Sequence, residues 1–410
     1  MREIKELTLQ NFKNAKKTLD ESGVLRKTNL IFSDYLSELV EAFVYLKPEN
    51  FQRTGSFKMR GAAFTMSILS EEEKKKGVIA ASAGNHAQGL ALAALKFGVK
   101  CTIVMPETAP KIKVENTLKY KANVVLKGQN YDEAYAHAKT LEKEFGLTYI
   151  HAYDNLSVAT GGGTISIEIL EELPDADIIL VPIGGGGLSS GVATCAKLLN
   201  PDIKVIGVEP AGAACVIAAL DKGEAIKLDK VNTIADGAQI GKAGTYVLPY
   251  LQKYLDGIIK IEDDSLIESM LDFVENQKMI AEPAGLLTVA AIKKIEEIIP
   301  DIKDKKIVSI VSGGNIDPNM VSLYIQHGLR KKGRIFTFSA SLPQQPGTLN
   351  KISEIIANKG GNILEVKHDH FVSVNKNEAV EIIITLEVAN EEVKEDIIRE
   401  LKNKYSIALK

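Results

Sequence analysis

The chain has 410 residues, 45% hydrophobic and 25% charged, which is the composition of a globular protein too long for one ordinary core and predicts two to three structural units. Fifty basic residues against fifty-three acidic leave a formal charge of −3, without the basic excess of a nucleic-acid-backbone binder, so no nucleic-acid partner is expected. No apolar run reaches the roughly 18 residues of a membrane span and the N-terminal MREIKELTLQNFKNAKKTL lacks a signal-peptide core, so a cytoplasmic protein with no membrane partner is expected.

In chain order, KGVIAA (76–81), KCTIVM (100–105), NVVL (123–126), DIILVP (177–182), KVIGV (204–208) and IVSIV (307–311) read as short buried strands. Helix patterns lie between them, such as 87–97 and 131–145. That rhythm predicts parallel sheets covered by helices, with ligands at the C-terminal ends of the strands. A smaller α/β subdomain is expected at about 50–150, inserted in a larger one, within a catalytic domain spanning 1–325. The basic run RKKGR (330–334) reads as part of a linker at 326–333. Beyond it, 334–410 shows strand, helix, strand, strand, helix, strand, the ferredoxin-like order. A module of about 75 residues is marginal alone, so pairing with a second copy is expected. Cys101, Cys195 and Cys215 have no metal-type spacing and read as core residues of a reducing compartment.

Four segments carry small or polar residues beside buried strands. Gly184 to Gly187 follow DIILVPI and open a helix at Leu188. Four glycines exceed the need of a simple turn, and they let successive N–H groups converge on an anion at a helix N-terminus. The spacing is not that of a dinucleotide or nucleoside-triphosphate loop, so the anion reads as the phosphate of a small cofactor. Lys58 lies in GSFKMRG, where burial and the neighbouring Arg60 are expected to lower its pKa and free the amine for Schiff-base chemistry. Ser312, after IVSIV, can hydrogen-bond a pyridine nitrogen without holding it protonated, which suits elimination better than transamination. Ser82, Gly84, Asn85 and His86 open the next helix and offer a seat for a substrate carboxylate, alongside an ordinary helix cap. Each segment alone is also what a turn, a cap or a surface lysine would look like.

Taken together, LKPENFQRTGSFKMRGA, SAGNHAQG, VPIGGGGL, GVEP, TIADG, EPAG and SGGN, in this order, resemble the fold type II (tryptophan synthase β-like) pyridoxal-phosphate enzymes, and within them the threonine dehydratases (threonine ammonia-lyases). The resemblance implies pyridoxal 5'-phosphate as cofactor. It implies that Lys58 binds it covalently and takes the substrate Cα proton, with Phe57 against one ring face and Asn85 on the 3-oxygen. It assigns the phosphate to Gly184, Gly185, Gly186, Gly187 and Leu188, and the ring nitrogen to Ser312. The amino-acid substrate would sit against Ser82, Ala83, Gly84, Asn85 and His86. L-Threonine would give 2-oxobutanoate and L-serine pyruvate, each with ammonia. The last module resembles an ACT domain, which implies an amino-acid effector, isoleucine or valine, and a homodimer or homotetramer.

Three departures qualify the resemblance. Serine racemases of this family carry a serine where Ala83 stands, so racemisation is expected to be poor. Glu209 is followed at the relatives' metal-ligand spacing by Cys215, so no metal site is expected; the His368/His370 pair offers too few ligands for one. Gly162 stands where the family commonly has Gln. A serine racemase relative and a non-catalytic amino-acid sensor remain as alternatives to the dehydratase.

Overall fold

Five of the six apolar runs become strands whose side chains are buried on both faces, which requires helices above and below. The run 123–126, expected to be buried, is instead an edge strand with Val124 and Val125 half-buried and Asn123 and Leu126 exposed. The structure is a computed structural model and describes residues 4–343, 345–368 and 380–410. It divides into two units, Met1–Ile316 and Asp317–Lys410.

The first unit contains β1 (Ile31–Phe32), β2 (Phe43–Pro48), β3 (Val78–Ala81), β4 (Cys101–Met105), β5 (Asn123–Leu126), β6 (Thr148–Tyr149), β7 (Ile178–Pro182), β8 (Lys204–Pro210), β9 (Gly257–Ile261) and β10 (Lys306–Val311). They form two sheets. One has the order β1-β2-β10-β7-β8-β9 and is parallel except for β1. The other, β5-β4-β3-β6, is wholly parallel and lies within residues 78–149. The large sheet has its core in residues such as Ile179, Val181, Val205, Val308 and Ile310, all fully buried.

The helix Leu156–Glu172 runs through Gly161, Gly162 and Gly163 without breaking. A Cβ on Gly161 would fall 2.6 Å from the Arg60 carbonyl oxygen, and one on Gly163 2.6 Å from that of Gly191. These glycines let the helices Lys58–Ile68 and Gly187–Leu199 approach to backbone contact, which offsets the helix propensity they sacrifice. Both of those helices begin at residues expected to bind the cofactor.

The second unit begins with the helix Pro318–Lys331, then β11 (Ile335–Leu342), the helix Thr348–Asn358, β12 (Asn362–His368), β13 (Val380–Glu387), the helix Glu391–Lys402 and β14 (Ser406–Leu409). Its sheet order, β12-β13-β11-β14, with every pair antiparallel, is ferredoxin-like. Phe338, Ile352, Ile356, Ile384, Leu386, Ile397 and Leu401 fill its core.

The boundary differs from the sequence expectation. The chain divides at 316/317 rather than at 325/326, and most of the expected linker 326–333 is the end of the helix Pro318–Lys331. The basic run reads as a break but is stabilised at a helix C-terminus, where Arg330 and Lys331 complement the helix dipole. The chain turns only at Gly333, φ +65°. Asp317, whose side chain accepts from Asn319 N–H with Pro318 at the first helical position, was the readable start signal. His370 and the side chain of His368 lie outside the described residues.

Candidate active site

Four strand-to-helix junctions of the first unit come together at one place. Phe57 caps the helix Lys58–Ile68, and its N–H donates to the Ser312 carbonyl oxygen at 3.0 Å, just past the end of β10. Ser82–Gly84 connect β3 to the helix Asn85–Phe97. A Cβ on Gly89 of that helix would fall 3.1 Å from the Lys58 carbonyl carbon, so the two helices meet beside the lysine.

Lys58 Nζ donates to the Ala152 carbonyl oxygen at 2.9 Å and lies 5.1 Å from the centre of the half-buried Phe57 ring. Burial lowers its pKa to about 8, with the Glu282 charge pulling the other way. The sequence expectation that Arg60 shares in this lowering needs correction. Arg60 is fully buried and spends its guanidinium on Glu49 at 2.7 Å and Glu168 at 2.7 Å. Its charge is balanced before it reaches the Lys58 amine.

Asn85 opens the helix that follows β3. Its Nδ2 donates to Glu282 Oε1 at 2.6 Å, and its Oδ1 accepts from Asn315 Nδ2 at 2.7 Å. Ser82, Ala83 and Gly84 are half-buried, and Ser82 Oγ accepts from the Gly84 N–H at 3.2 Å. His86 is buried, with Nε2 donating to the Ile150 carbonyl oxygen at 3.0 Å. Burial, and then the Lys58 charge, push its pKa down to about 3, so the ring stays neutral and occupied. What His86 can offer a carboxylate is its backbone N–H.

The glycine run Gly184–Gly187 leads from β7 into the helix Gly187–Leu199, whose first N–H groups have no partners within the helix. Gly186 has φ +95°, which no other residue adopts readily. A Cβ on Gly185 would fall 2.2 Å from Tyr153 Cδ2, and one on Gly187 2.5 Å from the Tyr153 carbonyl oxygen. The Leu188 side chain packs into the large-sheet core, so only its backbone N–H, in the first turn of the helix, is available to an anion. Ser312 is buried, with Oγ 3.4 Å from the Ala284 carbonyl oxygen, a long contact that leaves the hydroxyl able to take a better partner.

Sequence reasoning left out Glu282, Asn315, Ala152 and Tyr153. Glu282 precedes the helix Pro283–Ala291 and is buried, which raises its pKa to about 7 against the opposing Asn85 hydrogen bond. An acidic residue set among apolar neighbours in AEPAGLL was the signal. Glu209 accepts from the N–H groups of Val216 and Ile217 at 2.8 and 2.9 Å, so it caps the helix Cys215–Lys222. Among the described residues no group of three or more His, Cys, Asp or Glu is arranged to hold a metal ion.

A lysine amine of lowered pKa, a glycine-lined helix N-terminus, an amide and a buried serine hydroxyl match the aldehyde, phosphate, 3-oxygen and ring nitrogen of a phosphorylated pyridine aldehyde. The site is therefore that of a cofactor enzyme of the α/β class. Residues 22–313 match the family described as pyridoxal-phosphate dependent enzyme. The chain is 40% identical to the L-threonine ammonia-lyase of Thermotoga maritima, over 96% of this chain and 97% of the relative. It is 38% identical to that of Geobacter sulfurreducens, over 92% and 93% respectively. Of solved structures, the processed threonine deaminase isoform 2 of Solanum lycopersicum aligns with TM-score 0.73 at 38% identity, covering 78% of this chain and 92% of that one. Serine racemase from Dictyostelium discoideum aligns with TM-score 0.71 at 39% identity, covering 76% and 99%. The chain belongs to the pyridoxal-phosphate dependent enzyme family, with the type II fold followed by a small ferredoxin-like domain, and its cofactor is pyridoxal 5'-phosphate.

Proposed function

We propose that this protein deaminates L-threonine to 2-oxobutanoate and ammonia, and L-serine to pyruvate and ammonia, by β-elimination. The observation that carries the reading is the Lys58 amine, lowered to about 8 and held beside Phe57 at a junction that also presents Asn85 and Ser312. Similarity to ammonia-lyases over 96% of the chain supports it.

The bound cofactor supplies the electron sink that makes the substrate Cα proton acidic. Lys58 Nζ receives that proton. The N–H groups at the start of the helix Asn85–Phe97 and the Ser82 hydroxyl hold the substrate carboxylate. Gly184–Gly187 and the Leu188 N–H hold the phosphate, and Phe57 supports one ring face. Ser312 hydrogen-bonds the ring nitrogen without a charge of its own, which favours loss of the β-hydroxyl over transamination. The β-hydroxyl departs and, with the proton taken from Cα, makes water. The eliminated product leaves as an enamine, tautomerises to the imine, and adds water to yield the 2-oxo acid and ammonia.

The second unit, by its ferredoxin-like order, serves as an ACT-type module that binds isoleucine or valine between paired copies, in a homodimer or homotetramer. Free, buried Cys101, Cys195 and Cys215 fit a cytoplasmic location. In the described residues, no helix is long and apolar enough to cross a membrane.

The test is release of 2-oxo acid from L-threonine and L-serine by cofactor-loaded protein, with and without added isoleucine or valine. Release from threonine, altered by one effector, is the expected result. No oxo acid from either substrate, with cofactor bound, would overturn the lyase reading, and indifference to both amino acids would overturn the effector assignment.

Likeness to a serine racemase keeps racemisation as a second reading, and Ala83 decides between them. A methyl group cannot return a proton to the opposite face of Cα. Wild type should form D-serine far more slowly than pyruvate. Ala83→Ser should raise D-serine formation about 100-fold or more, the low end of what one acid–base group contributes, as read by chiral chromatography. Comparable rates of racemisation and elimination in wild type would reverse the assignment.

A further inference from the structure

The Asn85 carboxamide is gripped from both ends. Asn315 Nδ2 donates to Asn85 Oδ1 at 2.7 Å and to the Thr54 carbonyl oxygen at 2.7 Å. Thr54 offers only an acceptor there, so the Asn315 nitrogen must face it, and that same nitrogen then requires the oxygen of Asn85 to face Asn315. The Asn85 nitrogen is thereby turned toward Glu282 Oε1, 2.6 Å away, a short bond to an acidic acceptor. The chain of bonds has one direction, from Asn315 through Asn85 to Glu282. A primary amide nitrogen carries two hydrogens, and only one of those on Asn85 is used by Glu282.

Both ends of the relay are fixed in turn. The Glu282 N–H donates to the Gly313 carbonyl oxygen at 3.1 Å, and Glu282 heads the helix Pro283–Ala291. A Cβ on Gly313 would fall 2.2 Å from Glu282 Oε1 and 3.2 Å from Asn85 Nδ2. One on Gly237 would fall 3.4 and 3.7 Å from the same two atoms. At Gly55 a Cβ would fall 2.3 Å from Asn315 Oδ1. Three glycines from separate segments thus make room for three side chains.

We propose that Asn315 and Glu282 are positioning residues that lock the Asn85 amide with its nitrogen outward, so that its second N–H is always the group offered to the 3-oxygen of the cofactor. This rests on the cofactor contact assigned to Asn85 above and extends it to two residues with no assigned role. An asparagine held only by solvent turns its amide over at little cost and would present an oxygen half the time. An oxygen facing the anionic 3-oxygen repels it. The relay removes that alternative.

The test uses cofactor-loaded full-length protein and reads the visible absorption and circular dichroism of the bound cofactor and its dissociation constant by dialysis. Asn315→Asp has nearly the same shape but places a carboxylate against two acceptor oxygens. It should shift the visible bands and weaken cofactor retention about tenfold, the cost of one buried mispaired polar group. Glu282→Ala should do the same. Glu282→Gln keeps an acceptor for the Asn85 N–H and should stay within about threefold of wild type with unshifted bands. A residue with a purely structural role would instead lower the melting temperature and leave the bands in place.

Unshifted bands and retention in both Asn315→Asp and Glu282→Ala would overturn the proposal. So would Glu282→Gln as damaged as Glu282→Ala, because charge rather than amide orientation would then matter. If Glu282→Ala does not fold, the two near-isosteric variants decide between these outcomes. Absence of a lysine-linked cofactor band in wild type would indict the functional reading instead. An unshifted band in Asn85→Ala would indict the cofactor contact of Asn85.

Discussion

Lys58→Ala is expected to lower 2-oxo acid release from L-threonine by about 10⁴-fold or more, since the amine both anchors the cofactor and moves the Cα proton. The same variant should lose the band near about 410 nm that borohydride bleaches in wild type, with phosphate binding at Gly184–Gly187 retaining some unlinked cofactor. A pH signature accompanies it. Only the neutral amine attacks an aldehyde, and burial brings Lys58 down to about 8 from its ordinary 10.5. At pH 7.5 the neutral fraction is then roughly 200-fold larger than for an unperturbed lysine. Uptake of cofactor by the apoenzyme should accelerate as pH rises from 6 to about 8 and then level off, followed by stopped-flow absorbance. Acceleration that continues steadily to pH 10 would mean that the amine is solvated, and oxo acid release surviving in Lys58→Ala would remove the lysine from the reaction.

The readable parts of the sequence were those whose local pattern and tertiary role agree. β7 is a continuous apolar run and β4 is one but for Thr102, and the helix Tyr131–Phe145 has Asn130 and Gly146 as its caps. The four junction motifs were legible because small and polar residues beside buried strands conflict with packing and must serve something else. Where a residue's role depends on partners far along the chain, the pattern was silent. Gly161–Gly163 look like a turn, and only the approach of two other helices explains why they lie inside one. β1 and β2 went unread because β1 is two residues long and β2 ends in the charged LKPEN segment. The burial of Lys47, Glu49 and Arg60, none of which keeps any exposed surface, has no local signal in the sequence. Glu282 and Asn315 lay within recognisable motifs, but their meaning comes from the bonds to Asn85, 197 and 230 residues away.

The buried charges support the largest stability effect. Arg60 makes paired contacts with Glu49, 2.7 and 2.8 Å, and with Glu168, both 2.7 Å, while Lys47 Nζ meets Glu168 at 2.8 Å. Two cations and two anions cancel, so the cluster tolerates burial as a set and tolerates the loss of one member poorly. Arg60→Met should therefore lower the unfolding free energy by about 3–5 kcal/mol, seen by calorimetry of the apoenzyme. Adding Glu49→Met restores the balance by leaving the Lys47–Glu168 pair, and the double variant should recover more than half of the loss. A double variant as unstable as the sum of the single ones would show that lost packing, not stranded charge, sets the cost. Acid sensitivity gives a second readout. Burial alone would raise the Glu168 pKa, but Arg60 and Lys47 bring it down to about 2 from its ordinary 4.5. A carboxylate depressed in the folded state contributes stability that is complete above about 4.5 and is lost as pH falls toward 2. Wild type should lose stability steeply across that window, and Arg60→Met, already deprived of the main cation, should lose less. Arg60 lies two residues beyond Lys58 on the same helix, so the cluster that sets this stability also holds the start of that helix in place beneath the reactive amine.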